Sequence, residues 1–296
     1  MTSIDQGPVV AKTTQTAADI AGHEDTPAAP IATMPASERV LRVAIPLIML
    51  GGLIALWAWY VAAYNIPKYI LPGPDLVLQS LIKDWPILGT ALLVTLKITF
   101  AALGIALVGG VALAILLTSS KWIELALSPY MVILQVTPVV AIAPLILIYA
   151  PSTQSALLIC AWIVAFFPVL SNTTQGLKST DHNLLNLFEL YGASRWQTMI
   201  HLKLPAALPY FLAGLRIAGG LALIAAVVAE FAAGSAGAGS GLAFRLLESQ
   251  YRLNIPRLFA ALILLCGTGV VIYGATSLIS HLALRRWHES AIRREN

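Results

Sequence analysis

Charge is scarce in this chain. Only 11% of its 296 residues are Asp, Glu, Lys or Arg, against 58% hydrophobic, and mean hydropathy is +0.81. Ordinary soluble domains carry roughly a quarter charged residues, so that class is excluded. Cysteine is nearly absent: Cys160 and Cys266 both sit inside apolar blocks, which argues against a disulfide framework and against a metal knuckle. The phosphate-cradling pattern G-x-x-x-x-G-K-[ST] is missing. The glycine-rich run GSAGAGSG at 234–241 has no lysine and no preceding strand, and reads as a flexible turn. No cofactor is therefore expected on this chain. His23, His182, His201, His281 and His288 form no H-x-x-x-H pair and no cluster with acids, so no metal site is expected. Neither a Ser/His/Asp set with local support nor an acid pair inside the apolar blocks is present, and an enzyme is not expected. Basic residues are interleaved with apolar blocks instead of being gathered into a patch, which argues against nucleic acid. No internal repeat of the kind found in secondary transporters is visible.

What the chain does have is long apolar runs. Six are long enough, or nearly so, to cross a bilayer: 43–64, 88–118, 122–150, 155–170, 208–229 and 258–284. The fold class expected is an all-α integral membrane protein of six transmembrane helices, with residues 38–296 as one membrane domain. Residues 1–37 are rich in Thr, Ala, Pro and Asp without apolar period, and read as a disordered tail. A cleavable secretion signal is not expected, because this polar stretch precedes the first apolar run. One side of the membrane collects Arg39, Arg42, Lys121, Lys178, Arg195, Lys203, Arg285, Arg286, Arg293 and Arg294. The other holds Lys68, Lys83, Arg245, Arg252 and Arg257. By the positive-inside rule, both termini and the 181–205 loop are expected in the cytoplasm, with membrane lipid around the spans.

Several residues inside the runs need a reason. Lys97 is a lone charge that can snorkel to the interface. Thr137-Pro138 and Ala143-Pro144 interrupt backbone hydrogen bonding in the third run, as a structural kink or because that helix lines a path. Gly214, Ala218, Ala222 and Ala226 recur every four residues, a small-residue stripe that lets another helix approach, and Glu230 continues it. Arg216 lies two turns into the same run, where snorkelling again suffices. Thr137, Pro138, Arg216 and Glu230 are the candidates for a translocation path.

The stretch 181–205 reads as folded although it lies between apolar runs. Asp181 can cap a helix whose apolar face is Leu184, Leu185, Leu187, Phe188 and Tyr191. Gly192 falls where a helix ends in a left-handed residue. Ser194 with Gln197 forms a capping box that starts a second helix, which Pro205 is expected to stop. Both helices are too short to cross a bilayer, leaving an amphipathic connector on the membrane surface or a docking element for a partner.

Gly192, nine residues, Leu202, one residue, then Leu204-Pro205 resembles the loop E-A-A-x3-G-x9-I-x-L-P of permease subunits of bacterial ABC importers. The extension ALPYFLAGLR at 207–216 is similar to the branch serving nitrate, sulfonate, taurine and related small compounds. The E-A-A positions are here Asn186, Leu187 and Phe188, and the usual Ile is Leu202. The resemblance implies a type I importer permease fold with a cytoplasmic coupling helix, and a homodimer that binds two cytoplasmic ATPases. It also implies an extracytoplasmic substrate-binding protein. ATP and Mg would sit on the partner ATPases. The coupling residues implied are Asp181, Asn186, Leu187, Phe188, Glu189, Gly192, Ala193, Ser194, Leu204 and Pro205. The solute would be small and organic or anionic, such as a sulfonate, taurine, nitrate or a cofactor precursor. A channel or secondary transporter needing no ATPase is the alternative.

Overall fold

The computed structural model describes residues 36–234 and 239–285. Of the tail expected over 1–37, only Ala36 and Ser37 lie among the described residues, and they open the first helix. Arg286, Arg293 and Arg294 lie outside them, as do residues 235–238 of the glycine-rich run 234–241.

The chain divides at Leu56 into two units. The first contains most of helix α1 (Ala36–Ala63), in which Leu47, Ile48, Met49 and Leu53 are exposed, as lipid-facing side chains would be. The second unit runs from Trp57 onward. Helix α2 (Pro74–Lys83) is short and begins with Pro74, whose fixed φ suits a first turn. Next come α3 (Trp85–Ser119), α4 (Lys121–Val136), α5 (Val139–Tyr149) and α6 (Thr153–Lys178). A short α7 (His182–Leu190) leads to α8 (Arg195–Thr198), a π-turn (Met199–Lys203) and α9 (Leu204–Ala233). The last two are α10 (Leu242–Tyr251) and α11 (Ile255–Leu284). No strand occurs among the described residues.

Among the described residues, five helical stretches are long and apolar enough to cross a membrane: Ala44–Ala63, Trp85–Ser119, Thr153–Lys178, Arg195–Ala233 and Ile255–Leu284. The expected third span is not one kinked helix. It breaks between α4 and α5 with a bend of 98°. The cause is local: Thr137 is extended (φ −69°, ψ 121°), the conformation a residue before proline prefers, and Pro138 has no N–H to donate. Pro144 lies inside α5 without breaking it. The fourth span also exceeds its expected end at 170. The polar run that follows stays helical to Lys178, because Thr173, Gly176 and Leu177 are buried against neighbouring helices.

The core of this unit is α6 packed between α3 and α9. Close approach is possible because the facing residues are small. Ala218 and Ala222 of the expected stripe lie in one buried cluster with Leu103, Ala106, Ala165 and Val169, and Ala226 joins Ala102, Cys160 and Ala161. At Gly214 a Cβ would stand 2.8 Å from the Pro168 carbonyl oxygen, so this crossing requires glycine. A second stripe, Ala102, Ala106, Gly110 and Ala114 on α3, does the same work on the other side. Lys97 is exposed on α3, consistent with snorkelling, while Val108 and Val270 present apolar surface outward.

Candidate functional site

The 181–205 stretch folds as its caps dictate. Asp181 accepts a hydrogen bond from the Asn183 N–H (2.8 Å) and starts α7. Gly192 adopts φ +67°, and no atom lies within 4 Å of where a Cβ would be. The capping box is complete: Gln197 N–H donates to Ser194 Oγ, and Ser194 N–H donates to Gln197 Oε1 at 2.7 Å. No residue of α7 is buried. Leu184, Leu187, Leu190, Tyr191 and Trp196 are all exposed, Leu190 and Tyr191 by more than 80%. Asn186, Leu187 and Glu189 are exposed, whereas Phe188 and Ala193 are half-buried. A cavity of 790 Å³ lies beside α7, lined by Ile115, Thr118 and Ser119 of α3 and by Glu189, Arg195 and Lys203.

Pro205 does not stop the second helix. The chain widens into the π-turn Met199–Lys203, where the Leu204 N–H reaches back to the Met199 carbonyl, and continues into α9. Pro205 then occupies the first turn of that helix, where its missing donor and its ring are accommodated. The 181–205 stretch is thus continuous with a helix long and apolar enough to cross a membrane, which cap chemistry could not reveal.

A cleft lies around the helix break. Its upper chamber, 540 Å³, is lined by Gln135, Thr137, Val139 and Val140 from α4 and α5 and their junction. From α6 it takes Phe167, Ser171 and Asn172, and from α9 Ile217, Leu221 and Val228. A lower chamber of 570 Å³ is lined by Ser128, Met131, Thr174, Gln175 and Lys178. Gln135, Phe167 and Ser171 belong to both. Lys178 is ion-paired with Glu124.

Of the four path candidates, the structure brings Thr137 to this cleft; Pro138, Arg216 and Glu230 are not among its lining residues. Pro138 caps α5 beside it. The Arg216 guanidinium sits over the Tyr273 ring of α11, 5.9 Å from its centroid. Glu230 is buried and tied to other helices. Its Oε1 accepts from Thr95 Oγ1 (2.7 Å) and its Oε2 from the Ala243 N–H (2.9 Å), while the Leu242 N–H donates to Thr95 Oγ1 (2.9 Å). The acid therefore caps the first turn of α10 and fastens it to α3. Sequence reasoning also missed Gln135, Phe167, Ser171 and Asn172. Polar residues scattered at helical spacing in apolar runs were the available signal.

The end of the bundle away from the 181–205 stretch is held by ion pairs. Arg257 grips Asp84 with two hydrogen bonds, Nε to Oδ2 (2.8 Å) and Nη2 to Oδ1 (2.7 Å), and Ser80 Oγ adds a third (2.9 Å). The Arg257 hydrogen bond holds the Asp84 carboxyl below its usual range. Hydrogen bonding to Arg245 likewise lowers Glu248, which also pairs with Arg252. Among the described residues there is no metal-ligating cluster, and both cysteines are free.

Residues 106–288 match the family of binding-protein-dependent transport system inner membrane components. The chain is 34% identical over 245 residues to the riboflavin transport system permease protein of Chloroflexus aurantiacus, covering 80% of this chain and 88% of that one. It is 31% identical over 177 residues to the nitrate import permease protein of Synechocystis sp., covering 59% of this chain and 63% of that one. A solved amino acid ABC transporter shares the fold, with a TM-score of 0.57 at 22% identity over 70% of this chain and 97% of its own. The helical spans agree with these likenesses. The chain belongs to the binding-protein-dependent transport system inner membrane components, the permease subunits of bacterial ABC importers.

Proposed function

We propose that this chain is the translocation subunit of an ATP-driven importer whose energy comes from a separate cytoplasmic ATPase, with α7 as the contact between them. The observation that carries this is α7 itself. It is a capped helix with an uncovered apolar face, set off from the next helix by a left-handed glycine. An apolar helix face exposed outside the spans is a docking surface. Because α8 runs through the π-turn into α9, displacement of α7 is transmitted to a helix that walls the cleft. The 790 Å³ cavity beside α7 leaves room for such movement.

In this reading both termini and α7 face the cytoplasm, ATP and Mg are bound by the ATPase pair, and an extracytoplasmic binding protein delivers the solute. A second permease copy walls the open flank of the cleft. The solute is small and organic or anionic, in keeping with relatives named for riboflavin and for nitrate. Co-purification and uptake by the reconstituted complex test the proposal. A soluble ATPase that travels with the chain and hydrolyses ATP faster with loaded binding protein is the expected result. Solute movement by the purified chain without an ATPase refutes it and favours a channel or secondary transporter.

A further inference from the structure

We infer that Gln135, Phe167 and Ser171 form a waist in the translocation cleft that favours uncharged, flat solutes with hydrogen-bonding edges over anions. This deepens the importer reading and rests on it. The three residues line both chambers and so stand where the two meet. None of the described residues lining the upper chamber carries a charge. In the lower chamber the charged lining residue is Lys178, already neutralised by Glu124. Arg216, about three turns into α9, sits over the Tyr273 ring and is not part of either lining. An anion entering such a site would shed water without meeting a counter-charge, which is costly in an apolar surround.

The polar groups present suit amides, carbonyls and ring nitrogens. Among the described residues the Gln135 amide and the Ser171 hydroxyl have no hydrogen-bond partner, so both are free to donate and accept. Asn172 Nδ2 is committed to the Pro168 carbonyl at 2.8 Å, which orients its oxygen. Phe167 is held edge-on to Phe166, at 85° and 5.6 Å between centroids, giving a fixed aromatic surface. The first N–H groups of α5, at Val139 and Val140, border the upper chamber. They carry only the partial charge of a helix start and serve a solute carbonyl as well as an anion. A chamber of 540 Å³ lies within the usual range for small-molecule sites.

The test measures charge selectivity in the cleft itself. Val164 of α6 also lines the upper chamber; a Val164→Cys variant, with Cys266→Ser to remove the exposed thiol, is reconstituted with its ATPase. It is treated with hydroxyethyl, sulfonatoethyl and trimethylammonioethyl methanethiosulfonates, each rate being normalised to a free thiol. The hydroxyethyl reagent is expected to react at least about tenfold faster than the sulfonate. Equal or faster reaction of the sulfonate overturns the inference. Gln135→Lys in the same background is expected to accelerate the sulfonate by about tenfold; no change there means the waist is not on the route and also overturns it. If Val164→Cys does not assemble, Ile217→Cys on the facing helix replaces it. Rates that ignore ATP and vanadate count against the importer reading, whereas the ranking of the reagents still decides the waist.

Discussion

Replacing Gly192 by valine tests the coupling role most directly. At φ +67° the residue sits in the left-handed region, and no atom lies within 4 Å of the position a Cβ would take. The penalty is therefore conformational and not a clash: about 1–2 kcal/mol for an L-residue, at the upper end for a β-branched one. That is too little to unfold a membrane domain, but the strain relaxes most easily by moving φ, which re-aims α7 relative to α8. Asparagine tolerates the left-handed region, so Gly192→Asn is expected to recover most of the loss. The assay is reconstituted complex with loaded binding protein, in which ATP hydrolysis and solute uptake are measured together, beside the thermal midpoint of the permease. Gly192→Val is expected to insert with an unchanged midpoint, yet to bind ATPase weakly or to hydrolyse without uptake. Wild-type coupling in Gly192→Val would refute the lever. Equal loss in Gly192→Asn and Gly192→Val would refute the conformational cause and point to side-chain bulk at the ATPase surface.

Ala222, wholly buried between α9 and its neighbours, should not accept a larger side chain: Ala222→Leu is expected to destabilise the domain by about 1–3 kcal/mol, read as a lowered thermal midpoint. An unchanged midpoint would mean that the α6–α9 contact is looser than the packing indicates. A reporter fused after Asn296 and a label placed near His182 are both expected to report cytoplasm. This also decides whether α4 and α5 together cross the membrane, since labelling of His182 from outside intact cells contradicts the arrangement. Asp84 is more acidic folded than unfolded, so its ion pair stabilises above the unfolded value of about 4, and that stability is lost as pH falls through the lower folded value. Asp84→Asn should therefore lower the midpoint at pH 7, with the gap to wild type narrowing as pH falls below the unfolded value; a gap that does not narrow in acid would show that the pair is not the cause.

Local chemistry was legible in the sequence. Asp181, Gly192 and the Ser194–Gln197 box act over three or four residues, and they form as their spacing predicts. The stripe from Gly214 to Ala226 was readable because a buried helix face repeats every four residues, and the apolar runs placed most spans near their helices. The tertiary structure decided what depends on neighbours. Residues 171–178 stay helical because distant helices bury one face of them, although the run itself is polar. The prolines could announce a disturbance at 137–138 and 205, but not that one becomes a 98° break and the other is absorbed by a π-turn. Glu230 reads as a stripe position or a path residue until Thr95 and Ala243 are brought to its carboxylate. Arg216 reads as a snorkelling cation until Tyr273 lies beneath it. Their roles depend on partners far along the chain, and no local period or cap encodes which partner a buried polar group will meet.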